Sequence, residues 1–543
     1  MSESKIDDLG KVNHIEDEKS FPPIKDQPDA AIQEFRDREA AMSTWQAVKA
    51  HKRIFLYAIV PFFCGMAYGY DTVASSATMA MPAFLLSFGA VEPVTHSLYA
   101  PSIWSALWTA MANLGQAIGA FFIGPLAERI GRRYAIVSFA LLSCAGVAVQ
   151  FTATTRWALL IGKMLNGVCI GGIMACGTTY AADIAPLKLR GPILQGLVLF
   201  TVAMQGTALG IIRSLVLNKA PLAWKIVFAI QWPVAVLLFL ALLIPEYAFP
   251  SVNNCGITKF TNIRLLARSP TWLLSQGQVD ATRAALVRLY GEQNSIELRL
   301  QSLQLTLAAE ASTQGQQKAS FIECFRARNL KRTLTVCLIM FGTGLLGIAF
   351  LNQNTYVLLT LGLPAVHAFD VGVGGFFLAC VAIIVSWLFT DFIGHRRLWL
   401  IGVGGNIIGM ATVGGLAYLN NVAGLWAIAV VMNLLIPWQI YTCTGMAWTM
   451  TPEIASSRLR QHTQSIGFLV QAVSSWLFHM IVPYIYNTDA GNLGAKTGFV
   501  FAGLSALLLV ASWFVVPETA GRSVEEIDTA YQQGISPRKF HKI

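Results

Sequence analysis

Two oppositely charged residues sit where charge is costly: Asp71 in the run AYGYDTVASSA and Lys163 in LLIGKMLNGV. An ionisable side chain inside a membrane-length apolar run is a functional candidate by default. Asp71 follows Arg53 by 18 residues, which places it ~27 Å along a helix from that charged end. Lys163 precedes Asp183 by 20 residues, or ~30 Å along its own helix. The depths match, so the two can pair. A buried carboxylate stays ionised beside a cation and takes up a proton when that partner is withdrawn. Asp71 can therefore accept an external proton, release Lys163 and permit a rearrangement, which is the chemistry of proton coupling. The alternative is a static salt bridge that fixes helix packing. Of the other polar residues in apolar runs, His479 is expected to be a satisfied core or interfacial histidine, and Arg213 to reach toward the outer face.

Elements that hold such a pair must cross a membrane. The chain has 543 residues, 55% hydrophobic and 13% charged, against roughly 25% charged in soluble domains. A bilayer core of ~30 Å needs ~20 apolar residues per helix. Apolar runs fall near 54–82, 102–126, 133–153, 158–182, 193–217 and 223–245, then near 333–361, 369–389, 398–418, 422–450, 463–485 and 496–516. The expectation is an all-α membrane protein with twelve transmembrane helices in two six-helix halves. Its parts are a disordered N-terminal tail (1–53), a first bundle (54–246), a central loop with short helices (247–332), a second bundle (333–517) and a C-terminal tail (518–543).

The net charge of +10 raises nucleic acid as a partner, and the position of the charges argues against it. Arg129, Arg132 and Arg133, Lys188 and Arg190, eleven Lys and Arg in 247–332, Arg396 and Arg397, and Arg458 and Arg460 all fall on one side of the expected topology. That is the positive-inside bias, and it predicts both termini in the cytosol. Nine dispersed cysteines without a CxxC pair argue against a metal site or a disulfide framework. No nucleophile–base pair or phosphate loop stands clear, so neither catalysis nor a cofactor is expected. The N-terminus lacks the apolar segment of a cleaved signal peptide.

The halves echo each other. GPLAERIGRR at 124–133 follows the second span, and TDFIGHRR at 390–397 follows the eighth. Glu128, Arg132 and Arg133 thus correspond to Asp391, Arg396 and Arg397, an acid, a glycine turn and an Arg pair suited to a charge and helix-dipole latch. A second echo pairs Asp183 with Arg190 and Glu453 with Arg460, each Arg seven residues after its acid. Paired halves joined by a long loop are the arrangement of repeat-built secondary transporters, with the binding site near the midplane between them.

With these motifs in view, the chain resembles the sugar porter family of the major facilitator superfamily. GYD at 69–71, GK with Gly167 and Gly171, YAADIAPLKLRG at 180–191, SPTWLL at 269–274 and PETAGRS at 517–523 carry the resemblance across about residues 41–525. Asp183 stands where the family has Glu, and Ala520 where it usually has Lys. The lead-in AMSTWQAVKAHKR and EIASSRLR look most like fungal α-glucoside, maltose-type permeases. The resemblance adds Glu518 and Arg522 to the latch and implies an Asp and a basic residue at the proton-coupling positions, here Asp71 and Lys163. One departure is the interruption of PESPxWLL by 22 residues, 247–268, either a retained in-frame intron or a real loop insertion.

By the same resemblance, Trp448 matches a sugar-stacking Trp and Gln471 a sugar-binding amide. The family's other polar positions fall on Thr343, Gly344, Ala349, Val198 and Ala379, and its aromatic gate pair on Gln353 and Asn354. A hexose pocket has been stripped of donors. Asn352, Gln353, Asn354, Gln205 and Tyr356, with Gln439 and Tyr441, offer a different set, although amides in membrane helices also serve helix packing.

The expected function is a proton-coupled plasma-membrane permease that works by alternating access and imports an α-glucoside or related sugar as a monomer, with a small molecule, protons and the lipid bilayer as its partners. The second reading is the same fold moving, or exporting, a non-sugar such as a fungal secondary metabolite. A nutrient sensor is a weaker third, since only 21 residues follow Arg522.

Overall fold

A computed structural model of the chain describes residues 34, 44–91, 98–243, 270–275, 277–291, 296–305, 321–419, 421–455 and 460–519, with Ile527, Ala530, Tyr531, Gln533 and Phe540 of the C-terminal tail. The interruption at 247–268 lies outside the described residues. Twelve helices are long and apolar enough to cross a membrane. The first five spans are single helices, Lys52–Ala77, Ser102–Ile130, Arg132–Thr152, Arg156–Ile184 and Leu187–Leu215. The eighth, ninth, eleventh and twelfth are Ala365–Ile393, His395–Leu416, Arg460–Tyr486 and Thr497–Val515.

Three spans are interrupted, each at an identifiable cause. The sixth divides into Pro221–Ala229 and Gln231–Leu243, with Pro233 unable to donate to the preceding turn. The seventh runs Ala327–Leu345, stops at Gly347 with φ of 84°, and resumes as Ile348–Leu351 and Asn354–Thr360. The tenth, Val422–Gln439, passes through a π-helical turn, Ile440–Thr444, into Gly445–Ile454. Such breaks free backbone carbonyls that something else must satisfy. Leu346 O takes Nδ2 of Asn406 at 3.1 Å and Nε2 of Gln439 at 2.9 Å.

The repeat read from the sequence has a matching geometry. The turn between the second and third spans is Gly131 with φ of 85°, and that between the eighth and ninth is Gly394 with φ of 87°. Both lie in the region that L side chains avoid.

Packing differs between the two faces of the bundle. Toward the face opposite the basic loops, one apolar core runs through both halves and joins Phe84, Trp108 and Trp224 to Phe350, Phe369 and Phe501. Toward the basic face, each half keeps a core of its own, one around Ile136, Tyr180 and Ile184, the other around Trp399, Met450 and Ile454. Hydrogen bonds follow the same division. Asp489 accepts from the Ser102 backbone N–H at 2.8 Å and from its hydroxyl. Nδ2 of Asn487 donates to Ala100 O at 2.7 Å, and Ala100 N donates to the Tyr356 hydroxyl at 2.9 Å. Arg213 meets Asp370 across the halves at 2.6 Å, a partner that sequence reading did not assign to it. The bundle is closed on this far face.

Candidate functional site

Beneath that closure lies a narrow cleft between the halves. It is lined by Thr72, Val73, Ser76 and Ala77 of the first span, Gln205 and Leu209 of the fifth, Leu351, Asn352, Asn354 and Thr355 of the seventh, and Phe376 of the eighth. Two breaks in the seventh span bring Asn352 and Asn354 to this wall, as unwound backbone at mid-membrane depth does where it lines a cavity.

Four of the amides and aromatics expected at a ligand are engaged by protein. Nδ2 of Asn354 donates to Asn433 at 3.1 Å, and its carbonyl oxygen accepts from Thr355. Oε1 of Gln353 accepts from the Tyr486 hydroxyl. Tyr356 is buried in the far-face closure rather than in the cleft. Gln439 serves the freed Leu346 carbonyl and Asn406. Gln205 lines the cleft and donates to Thr72 at 3.2 Å, and Asn352 is exposed there. Trp448, 45% exposed, lies with its ring 4.9 Å from that of Phe468. Neither Trp448 nor the half-buried Gln471 lines this cleft.

Asp71 and Lys163 are 3% and 2% exposed, and the structure brings them together without a direct contact. Nζ of Lys163 donates to Ser75 O at 2.7 Å and sits over the Phe228 ring at 5.7 Å. Ser75 is one turn along the first span from Asp71, so the charges attract across a short gap. The carboxylate itself accepts from Nδ2 of Asn166 at 2.7 Å. Asn166 also donates to Gln231 at 2.9 Å and accepts from the Ser143 hydroxyl at 2.7 Å. Sequence reasoning missed Asn166, Gln231 and Ser143. A signal existed for two of them: Asn166 follows Lys163 by three residues and so shares its helix face, and Gln231 interrupts an apolar run beside Pro233.

One turn of the first span thus has two functional sides. Asp71 and Ser75 face the fourth and sixth spans, while Thr72 and Ser76 face the cleft. The same turn forms a wall of the cleft.

Of the residues expected in the latch, Arg132, Arg396, Glu453 and Glu518 have described side chains. Arg132 donates to Thr179 O at 3.3 Å. Arg396 donates to Trp513 O at 2.9 Å and lies over that ring, while its backbone N–H meets Glu518 at 3.3 Å. Glu453 pairs with His395 at 3.1 Å, and the same nitrogen is 3.1 Å from the Thr519 hydroxyl. The side chains of Glu128, Arg133, Asp183, Arg190, Asp391 and Arg460, and all of Arg522, lie outside the described residues.

The family model described as "Sugar (and other) transporter" matches residues 57–247 and 256–531, most of the chain. The chain belongs to that family. The break in the match falls within the interruption noted in the sequence. This family member is 47% identical to "MFS transporter fmqE" of Aspergillus fumigatus, covering 99% of this chain and 98% of that protein. It is 25% identical to the general alpha-glucoside permease of Saccharomyces cerevisiae over 93% of this chain and 80% of that one. To the maltose permease MAL61 of the same species it is 25% identical over 96% and 82%. The inward-open structure of the xylose transporter XylE from E. coli superimposes with a TM-score of 0.67 at 18% identity, covering 88% of this chain and 99% of that one. The fold is that of the major facilitator transporters, and the protein is a multi-pass membrane protein.

Proposed function

We propose that this family member is a proton-coupled secondary transporter of the plasma membrane, with its basic face in the cytosol, carrying a small organic molecule less rich in hydroxyl groups than a hexose. A fungal secondary metabolite is a substrate of that kind. The observation that carries the substrate class is the engagement of the seventh-span amides. Of the amides that line the cleft, Asn354 is bonded to Asn433 and Thr355 and Gln205 to Thr72, so Asn352 supplies most of the free amide chemistry there. A hexose would leave hydroxyls unpaired there at ~1–3 kcal/mol each, whereas Val73, Leu209, Leu351 and Phe376 suit apolar surface.

Coupling follows from the two-sided turn. Protonation of Asp71 removes the charge that attracts Lys163 and weakens the bond from Asn166, which loosens the turn carrying Thr72 and Ser76. The halves then exchange the shared far-face core for contacts on the basic face, and the cleft changes sides. A second reading, an α-glucoside as substrate, is favoured by the exposed Trp448 ring and by the yeast permeases at 25% identity.

Reconstituted vesicles offered a panel of α-glucosides and of aromatic, heterocyclic and polyketide-like compounds, with and without a pH gradient, test both readings. Gradient-dependent movement of a compound from the less polar set is expected. Movement of glucosides alone would overturn the proposed substrate class.

A further inference from the structure

We propose that Asn166 is a positioning residue for proton binding at Asp71, with its amide oriented by Ser143. The proposal rests on the coupling role given to Asp71 above. Asn166 is fully buried, and its three bonds reach three other spans: Asp71 on the first, Gln231 on the sixth and Ser143 on the third. Both amide hydrogens and the carbonyl oxygen are used. The orientation is set by chemistry, since an ionised Asp71 has only acceptors to offer. The NH2 group must therefore face the carboxylate, which turns the carbonyl toward the Ser143 hydroxyl that donates to it.

Lys163 gives its short hydrogen bond to Ser75 O, 2.7 Å away. The carboxylate's own short bond therefore comes from a neutral amide, with the cation acting from a distance. A donor aimed at a carboxylate binds its charged form more strongly than its protonated form. Asn166 thus holds the anion while Asp71 is empty, and a proton on Asp71 weakens that bond. Through the same amide, the protonation state reaches Gln231 and Ser143, on the two spans that pack behind the site. Among the described residues, Lys163 of the fourth span is the titratable group that acts on Asp71, and the Asp71 charge in turn acts on Cys169 of the fourth span and Tyr68 of its own helix. The third and sixth spans contribute the uncharged Ser143 and Gln231.

The test is a pH titration of the purified full-length protein in lipid vesicles, followed by infrared spectroscopy of the carbonyl stretch of protonated carboxyl groups. The Asp71 band is assigned by its loss in Asp71→Asn, and no substrate is needed. In Asn166→Leu, which keeps the volume and removes the donor, Asp71 is expected to bind its proton about tenfold more tightly. Ser143→Ala, which leaves the amide in place without its orienting partner, is expected to shift affinity about threefold in the same sense and stands if the first variant fails to fold. Unchanged affinity in the variants that fold, a shift toward weaker binding, or the absence of a titrating Asp71 band overturns the proposal. The two readings fail separately: tighter proton binding with an unaltered pH profile of transport sustains the positioning role and removes the coupling role.

Discussion

At the scale of the residue, the arrangement around Asp71 differs from a simple ion pair. Lys163 is spent on a backbone carbonyl, and the carboxylate relies on Asn166. Both charges are nonetheless buried together, and removing one partner of a buried pair leaves the other uncompensated, at ~3–5 kcal/mol. Lys163→Gln is therefore expected to lower the melting temperature of the detergent-purified protein at neutral pH. Lys163→Gln combined with Asp71→Asn should recover most of that loss, and a double variant no more stable than Lys163→Gln alone would deny the electrostatic link. Asp71 and Lys163 were legible in the sequence because ionisable residues stand out in apolar runs. The meeting of Asn166 with Gln231, 65 residues away, was not, since it depends on helix rotation and packing that a one-dimensional pattern does not carry.

Elements explain how the cleft acquires its wall. The twelve spans could be read to within a few residues, as in 369–389 for a helix found at Ala365–Ile393, because apolar run length is a local property. The breaks in the seventh span were less legible: Gly347 and the Asn352–Asn354 cluster gave no sign of which amides would take the freed carbonyl. That carbonyl, on Leu346, recruits Asn406 and Gln439, so an amide that sequence reading offered to a ligand serves the backbone instead. Gly347 has φ of 84°, and a Cβ there would press on the Phe501 ring at 2.8 Å. Gly347→Ala should cost more than ~1 kcal/mol from the backbone alone, visible as a lower melting temperature. Unchanged stability would mean that the break relaxes at no expense. Gln439→Leu removes one of two donors to Leu346 O and the donor to Asn406 Oδ1, so a loss of ~1–3 kcal/mol is expected, with substrate affinity little altered if Gln439 is no ligand contact. Equilibrium binding of any compound the protein moves checks this.

For the whole molecule, the proposed alternating access makes the shared core on the far face and the separate cores on the basic face one of its two end states. Among the ties that hold it, the Arg213–Asp370 bridge is partly exposed and contributes only ~0.2–1 kcal/mol. Arg213→Ala should therefore shift the population toward the far-open state by no more than a few-fold. A thiol placed at Thr72 in a cysteine-free background, probed with an impermeant reagent from the far side, reports that shift; no gain in labelling would remove the bridge from the gate. The central claim is that a proton on Asp71 drives the exchange between the two states. Its most direct measurement compares wild type and Asp71→Asn in proteoliposomes, using a compound that wild type moves, for exchange without a gradient and for accumulation driven by a pH gradient. The variant is expected still to exchange the compound but no longer to accumulate it in response to the gradient. Gradient-driven accumulation at the wild-type level in Asp71→Asn would contradict it.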